Sequence, residues 1–590
     1  MDTSPGSELN TVDQLEGCHQ LEKGGTNKGG WITLPFIAGG MLGLGLAIQS
    51  TITNLAVYLI KEYNMEKIKA TQIASVIHGS LNLLPVAGAV LSDSYFGCVP
   101  VVIAGAAINV LVGAARSRLK IHICTALGEK FSVTNHMYPM PQAFVLFTLS
   151  AAVPSLRPPR CAAAAADAAA CQQGSPGQLA VLYAASCLLA MGTGGTRFTV
   201  ATMGADQFRG AREQDTFFNC YFVFLYASFI AGETVVVYLQ DSVSWALGFG
   251  VCLAATVASL VILLLGVRYY RMPAPKGSPY TELARVVVAT VRKARVGGEL
   301  GRVQYYVGDG AVVNSDSDGA PSKMLRFLNR AAMVTANDSL PEASGGRRRS
   351  SWQLCTVQQV EDLKSLLGVL PIWSSSFIVS VSIAVLLGMN VLQALAMDRS
   401  LGPRFTIPAG SIVVCSLAAF IAATPVLDRA VFPLWRRCTG TPPTPLQRIG
   451  LGQVVNAAGM AAAALVERRR LGVAAAASSS PVTPMCVLWL VVPLAVVGAG
   501  EALHFPGSVA FYYQEFPKTL RSTATAMTPL IFALAFYLSA VFLNVVRRVT
   551  KWLPENINQG RLDNVYWVMA VAAMVNFGYF VICVRWYRNR

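Results

Sequence analysis

Three ionisable residues interrupt otherwise apolar stretches: Arg197, closing GTGGTR; Glu233, in SFIAGETVVVYLQD; and Glu501, in GAGEALHF. A charge kept in hydrocarbon costs at least a few kcal/mol, so each is a candidate for function. A guanidinium in apolar surroundings holds a positive potential, and its planar fork of donors matches a small oxyanion. The bland alternative is that Arg197 pairs with an acid or snorkels to an interface. Glu501 can gate such a site by pairing with Arg197 and releasing it, or it can carry a proton; as a purely structural group it is a counter-ion. Glu233, about two turns before Asp241, is read as facing water near the outer end, with a charge or proton site as the alternative. His504 lies three residues after Glu501 and can share its helical face as a pH-sensitive partner, although a packing histidine has the same signature. Among polar residues within apolar runs, Gln49, Ser50, Asn54, Asn82 and Gln393 can line a pore or bond between helices. Gln49, Asn54 and Gln393 are the substrate contacts taken from that set.

Such residues need helices to hold them. Of 590 residues, 54% are hydrophobic and 13% charged, and mean hydropathy is +0.49, which excludes an ordinary soluble domain. A hydrocarbon core of roughly 30 Å takes about 20 apolar residues of helix. The chain supplies about twelve such runs, the first from Gly29 to Tyr63. Six precede and six follow a polar segment at 268–361, giving an all-α polytopic membrane protein of two six-helix halves, 31–267 and 362–586, with tails at 1–30 and 587–590. The central segment carries 14 Lys/Arg against 7 Asp/Glu between 268 and 350, so the positive-inside rule places it, and with it both termini, in the cytoplasm. Within it, 279–297 reads as a basic amphipathic helix on the membrane surface. Arg347, Arg348 and Arg349 before Ser350 and Ser351 resemble a site for a cytoplasmic kinase; a basic run near anionic lipid is the alternative.

The net charge of +16 sits in short loops between apolar runs, which argues against nucleic-acid binding. No secretory signal is read in residues 1–28. No zinc-type cysteine spacing, nucleophile–base set or phosphate-cradling loop occurs, so neither a metal, a cofactor nor an enzyme is expected. Cys161 and Cys171 flank an Ala-rich loop placed outside, where they form either a local disulfide or two free thiols. The third span is split: 99–113 and 143–153 are each too short to cross, but together reach about 39 Å. Between them lie 29 mostly polar residues, 114–142. A helix broken there exposes backbone and charge at membrane depth; we read the segment as foreign to the mature protein, such as a retained intron.

Several segments resemble the plant nitrate and peptide transporter family, a branch of the proton-dependent oligopeptide transporters: GAVLSDSYFG at 88–97, MGTGGTRFTVATMGADQF at 191–208, FLNRAAMVT at 327–335, WQLCTVQQVEDLKSLLGVLPIW at 352–373 and GAGEALHFPGSVAFYY at 498–513. GGWITLPF and GTGGTRF are most similar to its nitrate excretion subgroup. The resemblance implies a major facilitator fold, with substrate bound between the halves near the midplane, Arg197 as the cavity cation and Glu501 as the acid of the tenth span. It also implies where function departs from the family. Met41, Leu44 and Gly45 stand where proton-coupled members carry E-x-x-E-R, Ile383 where some carry a nitrate-binding histidine, and Val101 where a phosphorylated threonine switches affinity. The expectation is a plasma-membrane nitrate transporter of low affinity, efflux-type and weakly or not proton-coupled. Alternatives are a chloride or other small-anion carrier, a proton-coupled symporter, a transport-dead anion sensor, and a vacuolar location. Small anion and lipid bilayer are the expected partners.

Overall fold

A computed structural model describes residues 28–110, 143–159, 172–272, 279–295, 304–335, 352–476, 482–516 and 521–588, less a few positions within these ranges. The 114–142 segment, Cys161, Cys171, Ser350 and Ser351 lie outside the described residues.

The N-terminal half contains α1 (Leu34–Glu62), α2 (Lys67–Leu91), α3 (Cys98–Val110), α4 (Ala143–Ala152), α5 (Pro176–Thr196), α6 (Thr199–Ala205), α7 (Ala211–Ala231) and α8 (Trp245–Gly266). Among the described residues of the whole chain, eleven helices are long and apolar enough to span a bilayer. The short apolar α3 and α4 pack on each other and on α5 and α8. Local sequence sets several boundaries. Ser175 caps α5 reciprocally with Gln178, ahead of Pro176 in the first turn. The glycines of GTGGTR let α5 approach its neighbours: a Cβ on Gly105 of α3 would lie 2.7 Å from the Gly192 carbonyl oxygen, and one on Gly88 of α2 would collide with that of Gly194. Close backbone approach of this kind is the usual role of small residues between membrane helices.

The central segment folds against the bundle. Its helix α9 (Pro279–Arg292) is followed by one 3₁₀ turn to Arg295. The strands β1 (Gln304–Gly308) and β2 (Ala311–Asn314) form an antiparallel hairpin that pairs Gln304 with Asn314. The apolar face of the expected surface helix is partly covered by protein: Val286 and Ala289 pack with Leu328, Ala331, Cys355, Val360 and Leu363, leaving Val287 and Val291 exposed. Burial pushes the Cys355 thiol up to about 11. Lys293 Nζ donates to the Met333 carbonyl at 2.6 Å and buried Lys364 to that of Ser322 at 2.8 Å, so basic residues pin the segment.

The second half runs through α10 (Val357–Ser374), capped by Thr356 and Gln359, α11 (Ser376–Leu395), α12 (Val414–Val426), α13 (Phe432–Thr439), α14 (Pro445–Ala476), α15 (Val491–Glu515), α16 (Arg521–Val549) and α17 (Leu562–Arg588). Parallel pairing of β3 (Met397–Asp398) with β4 (Thr483–Cys486) ties α11 to the entry of α15. The ninth span is longer than its apolar run at 446–466 suggests. Helix α14 continues through Glu467–Arg470, because Arg470 makes two 2.7 Å bonds to the Glu467 carboxylate with both residues fully buried, while Arg469 covers the Trp489 ring.

Across the halves, α2 packs along α16. Ion pairs between the halves, among the described residues, all lie on the face opposite the central segment: Asp241 with Arg399 at 3.7 Å, and Glu66 with Arg547. Stacking of Tyr238 on Phe405 and a 2.6 Å bond from Ser411 Oγ to the Glu233 carbonyl lie on the same side. These contacts hold the halves together on that face.

Candidate functional site

A cavity of about 240 Å³ lies between the halves. Helices α1, α2 and α7 build one wall with Gln49, Thr53, Ser75, His78 and Tyr226; α11, α12, α15 and α16 build the other with Val391, Ser416, Glu501 and Phe536. Arg197 enters at the end of α5, its own N–H still bonded to the Thr193 carbonyl. It is the one arginine or lysine among the described residues that line the cavity. Tyr221 donates to its carbonyl oxygen at 3.3 Å, and the His78 ring stacks on Phe536 with centroids 3.8 Å apart.

The cavity thus gathers Arg197, Glu501, Glu233 and Gln49 from four distant parts of the sequence. Glu233 does not face outer water as the sequence suggested. It is 3% exposed, and its Oε1 accepts from Gln49 Nε2 at 2.7 Å and Thr53 Oγ1 at 3.2 Å. The reason is local: α7 passes into a π turn at Gly232–Val236, and the wider turn changes the direction of the Glu233 side chain. Such turns are frequent at functional sites.

Two expected substrate contacts are corrected. Asn54 is buried in the distal part of α1, where its amide donates to Gln240 Oε1 at 3.1 Å. Gln393 is sealed among Glu467, which it reaches at 2.6 Å, and Tyr566 at 2.9 Å. Neither lines the cavity, because the rotation of its helix turns the amide toward a neighbouring helix and away from the gap between the halves. His504 is fully buried behind the cavity wall, with Nδ1 3.5 Å from the Ile449 carbonyl and its ring against Phe505; it does not share the Glu501 face. Ser50 donates to the Ala47 carbonyl within its own helix and also meets Cys252 Sγ of α8 at 3.3 Å, whereas Asn82 bonds to the His78 carbonyl within its own helix.

Sequence reasoning passed over His78 and Tyr226. An ionisable histidine inside the apolar run of α2 was the available signal for the first; a membrane tyrosine offered none. With one guanidinium and two carboxylates, the three charged groups sum to −1 when both acids are ionised and to +1 when both carry protons. The arrangement can therefore hold an anion, or exchange protons against one.

A family model, that of the POT family, matches residues 144–560. The chain belongs to the POT family. This POT transporter is 40% identical over 565 residues to Arabidopsis thaliana NRT1/PTR FAMILY 2.7, covering 95% of this chain and 93% of the relative. It is 41% identical over 568 residues to NRT1/PTR FAMILY 2.3 of the same plant, covering 96% and 94%. Among solved structures, the POT transporter PepTSo superposes with a TM-score of 0.65 at 14% identity over 95% of this chain and 99% of that one. An auto-inhibited POT peptide transporter gives 0.62 at 15%, over 94% and 96%. These likenesses give the helical transporter fold, and the family places the chain among membrane transporters rather than enzymes.

Proposed function

We propose that this transporter carries nitrate, with low affinity and net movement toward export. The observation that carries the reading is Arg197 entering the central cavity as its one arginine or lysine among the described residues, where a planar fork suits a planar anion. The cavity volume of about 240 Å³ is below the roughly 300–1,000 Å³ of pockets that enclose drug-sized ligands, which favours a small solute. With apolar Met41 and Leu44 and with Gly45 on α1, export needs no proton: an inside-negative potential drives an anion outward with about 2.3 kcal/mol per charge per 100 mV. Chloride is the competing anion. The plasma membrane is the location that goes with this direction, and a kinase acting on Ser350 or Ser351 would tune it from the cytoplasm.

A second reading rests on Glu233 and Glu501, which line the same cavity as Arg197 and could bring a proton with the anion. Labelled nitrate efflux from vesicles, with and without a pH gradient, separates the two. Flux indifferent to the gradient supports uncoupled export, and flux that requires it assigns coupling to these acids. Arg197→Gln should abolish flux in protein that still inserts; unchanged flux refutes the site, and anion binding without flux in the native chain points to a sensor.

A further inference from the structure

Arg197 borders a second cavity of about 40 Å³ behind the central one. Gln49 and Phe229 also border both, so the two spaces adjoin at these three residues. The walls of this side chamber are otherwise mostly hydrocarbon, from Met41, Leu44 and Ile48 of α1, Val200 of α6 and Leu225 of α7, with Thr196 and Tyr221 beside the arginine. Neither Glu233 nor Glu501 reaches it.

An ion entering from the central cavity exchanges its water shell for one guanidinium and a mostly apolar wall, whose polar members already have partners: Thr196 donates to the Gly192 carbonyl, Tyr221 to that of Arg197 and Gln49 to Glu233. Guanidinium is itself weakly hydrated and forms its bonds in a plane, whereas removing water from a charge without full replacement is costly. The exchange is therefore least unfavourable for an anion that holds water weakly. Size acts in the same direction: the chamber exceeds the roughly 10–15 Å³ that one water requires, but at about 40 Å³ it has no room for an ion with its shell.

We infer that the side chamber behind Arg197 is the selectivity site of the transporter, accepting small, weakly hydrated monovalent anions such as thiocyanate and nitrate ahead of chloride. This rests on the anion reading above and adds to it: Arg197 supplies attraction, and the hydrocarbon wall supplies discrimination.

The test uses the full chain in liposomes, comparing thiocyanate, nitrate and chloride flux at equal ionic strength in the native protein, Val200→Thr, Val200→Ile and Arg197→Gln. Val200→Thr keeps the shape of the wall and adds one hydroxyl. It should lower the nitrate-to-chloride ratio by about three- to tenfold, the size of a partly compensated buried hydroxyl. Val200→Ile narrows the chamber and should cut thiocyanate and nitrate flux more than chloride. Should Val200→Thr fail to give monodisperse protein, Ile48→Thr adds a hydroxyl from α1, read against Ile48→Val, which removes the same methylene without the hydroxyl. Unchanged ratios in folded wall variants, with flux lost in Arg197→Gln, would overturn the chamber while leaving anion transport standing. Flux that survives Arg197→Gln would overturn both.

Discussion

Replacing Glu467 with leucine should destabilise the protein more than any change in the central cavity. Glu467 and Arg470 are both fully buried. The carboxylate accepts Arg470 Nε and Nη2 at 2.7 Å each and Gln393 Nε2 at 2.6 Å, and Tyr566 completes the set by donating to Gln393 at 2.9 Å. Glu467→Leu leaves a guanidinium in the interior without its counter-charge, and breaking a buried pair from one side costs about 3–5 kcal/mol. That is roughly two to three and a half orders of magnitude in the folded-to-unfolded ratio. Removing both charges is a different perturbation, because a buried pair exchanged for apolar residues of similar volume is often neutral. The assay is thermal loss of monodisperse protein in one detergent for the native chain, Glu467→Leu, Arg470→Met and the double variant. Both single variants should melt well below native and the double should recover most of the loss, the non-additivity expected of contacting residues. Flux of the proposed nitrate substrate per folded molecule of the double variant should stay close to native, since this network lies outside the central cavity. A Glu467→Leu midpoint equal to native, or a double variant showing the sum of the single losses, would refute the reasoning.

Asp241→Asn removes the negative partner of both Lys61 and Arg399. These pairs are partly exposed, worth about 0.2–1 kcal/mol each, so labelling of a Thr53→Cys probe from the distal side should accelerate by about two- to fivefold; an unchanged rate would dissociate Asp241 from closure. Deleting 114–142 should join α3 and α4 into one crossing and raise the yield of folded protein, and a dominant transcript that encodes those residues would contradict their being foreign. The Cys355 thiol, pushed up to about 11 by burial, is protonated at pH 8 and should resist maleimide until the central segment is unfolded, whereas exposed Cys438 should react at once. Rapid Cys355 labelling in the folded chain would show that the α9 cluster opens.

Which parts of this architecture were legible in the sequence follows from what each depends on. Spans were legible because crossing hydrocarbon demands length and apolarity, properties of contiguous sequence. The starts of α5 and α10 were open to the same reading in Ser175–Gln178 and Thr356–Gln359, pairs only three residues apart. Arg197 could be singled out by type alone, since an intramembrane charge is rare enough to be informative. The ninth span outruns its apolar stretch for the opposite reason: the run Glu467–Arg470 reads as a polar end unless one knows that two of its members neutralise each other inside the bundle.

Partner choice was not legible anywhere. Gln49, Asn54 and Gln393 are alike as polar residues in apolar helices, yet only Gln49 meets the cavity, because the rotation of each helix about its axis decides which face its amide presents. Glu233 reached the cavity through a π turn, a hydrogen-bond shift that leaves little trace in composition. The sequence alone determined which stretches are long and apolar enough to cross and which rare charges they carry, since both are local quantities. The tertiary structure decided which charges share a cavity, which lie behind its wall, and that one guanidinium borders two spaces, since those depend on the setting of helices brought together from distant parts of the chain.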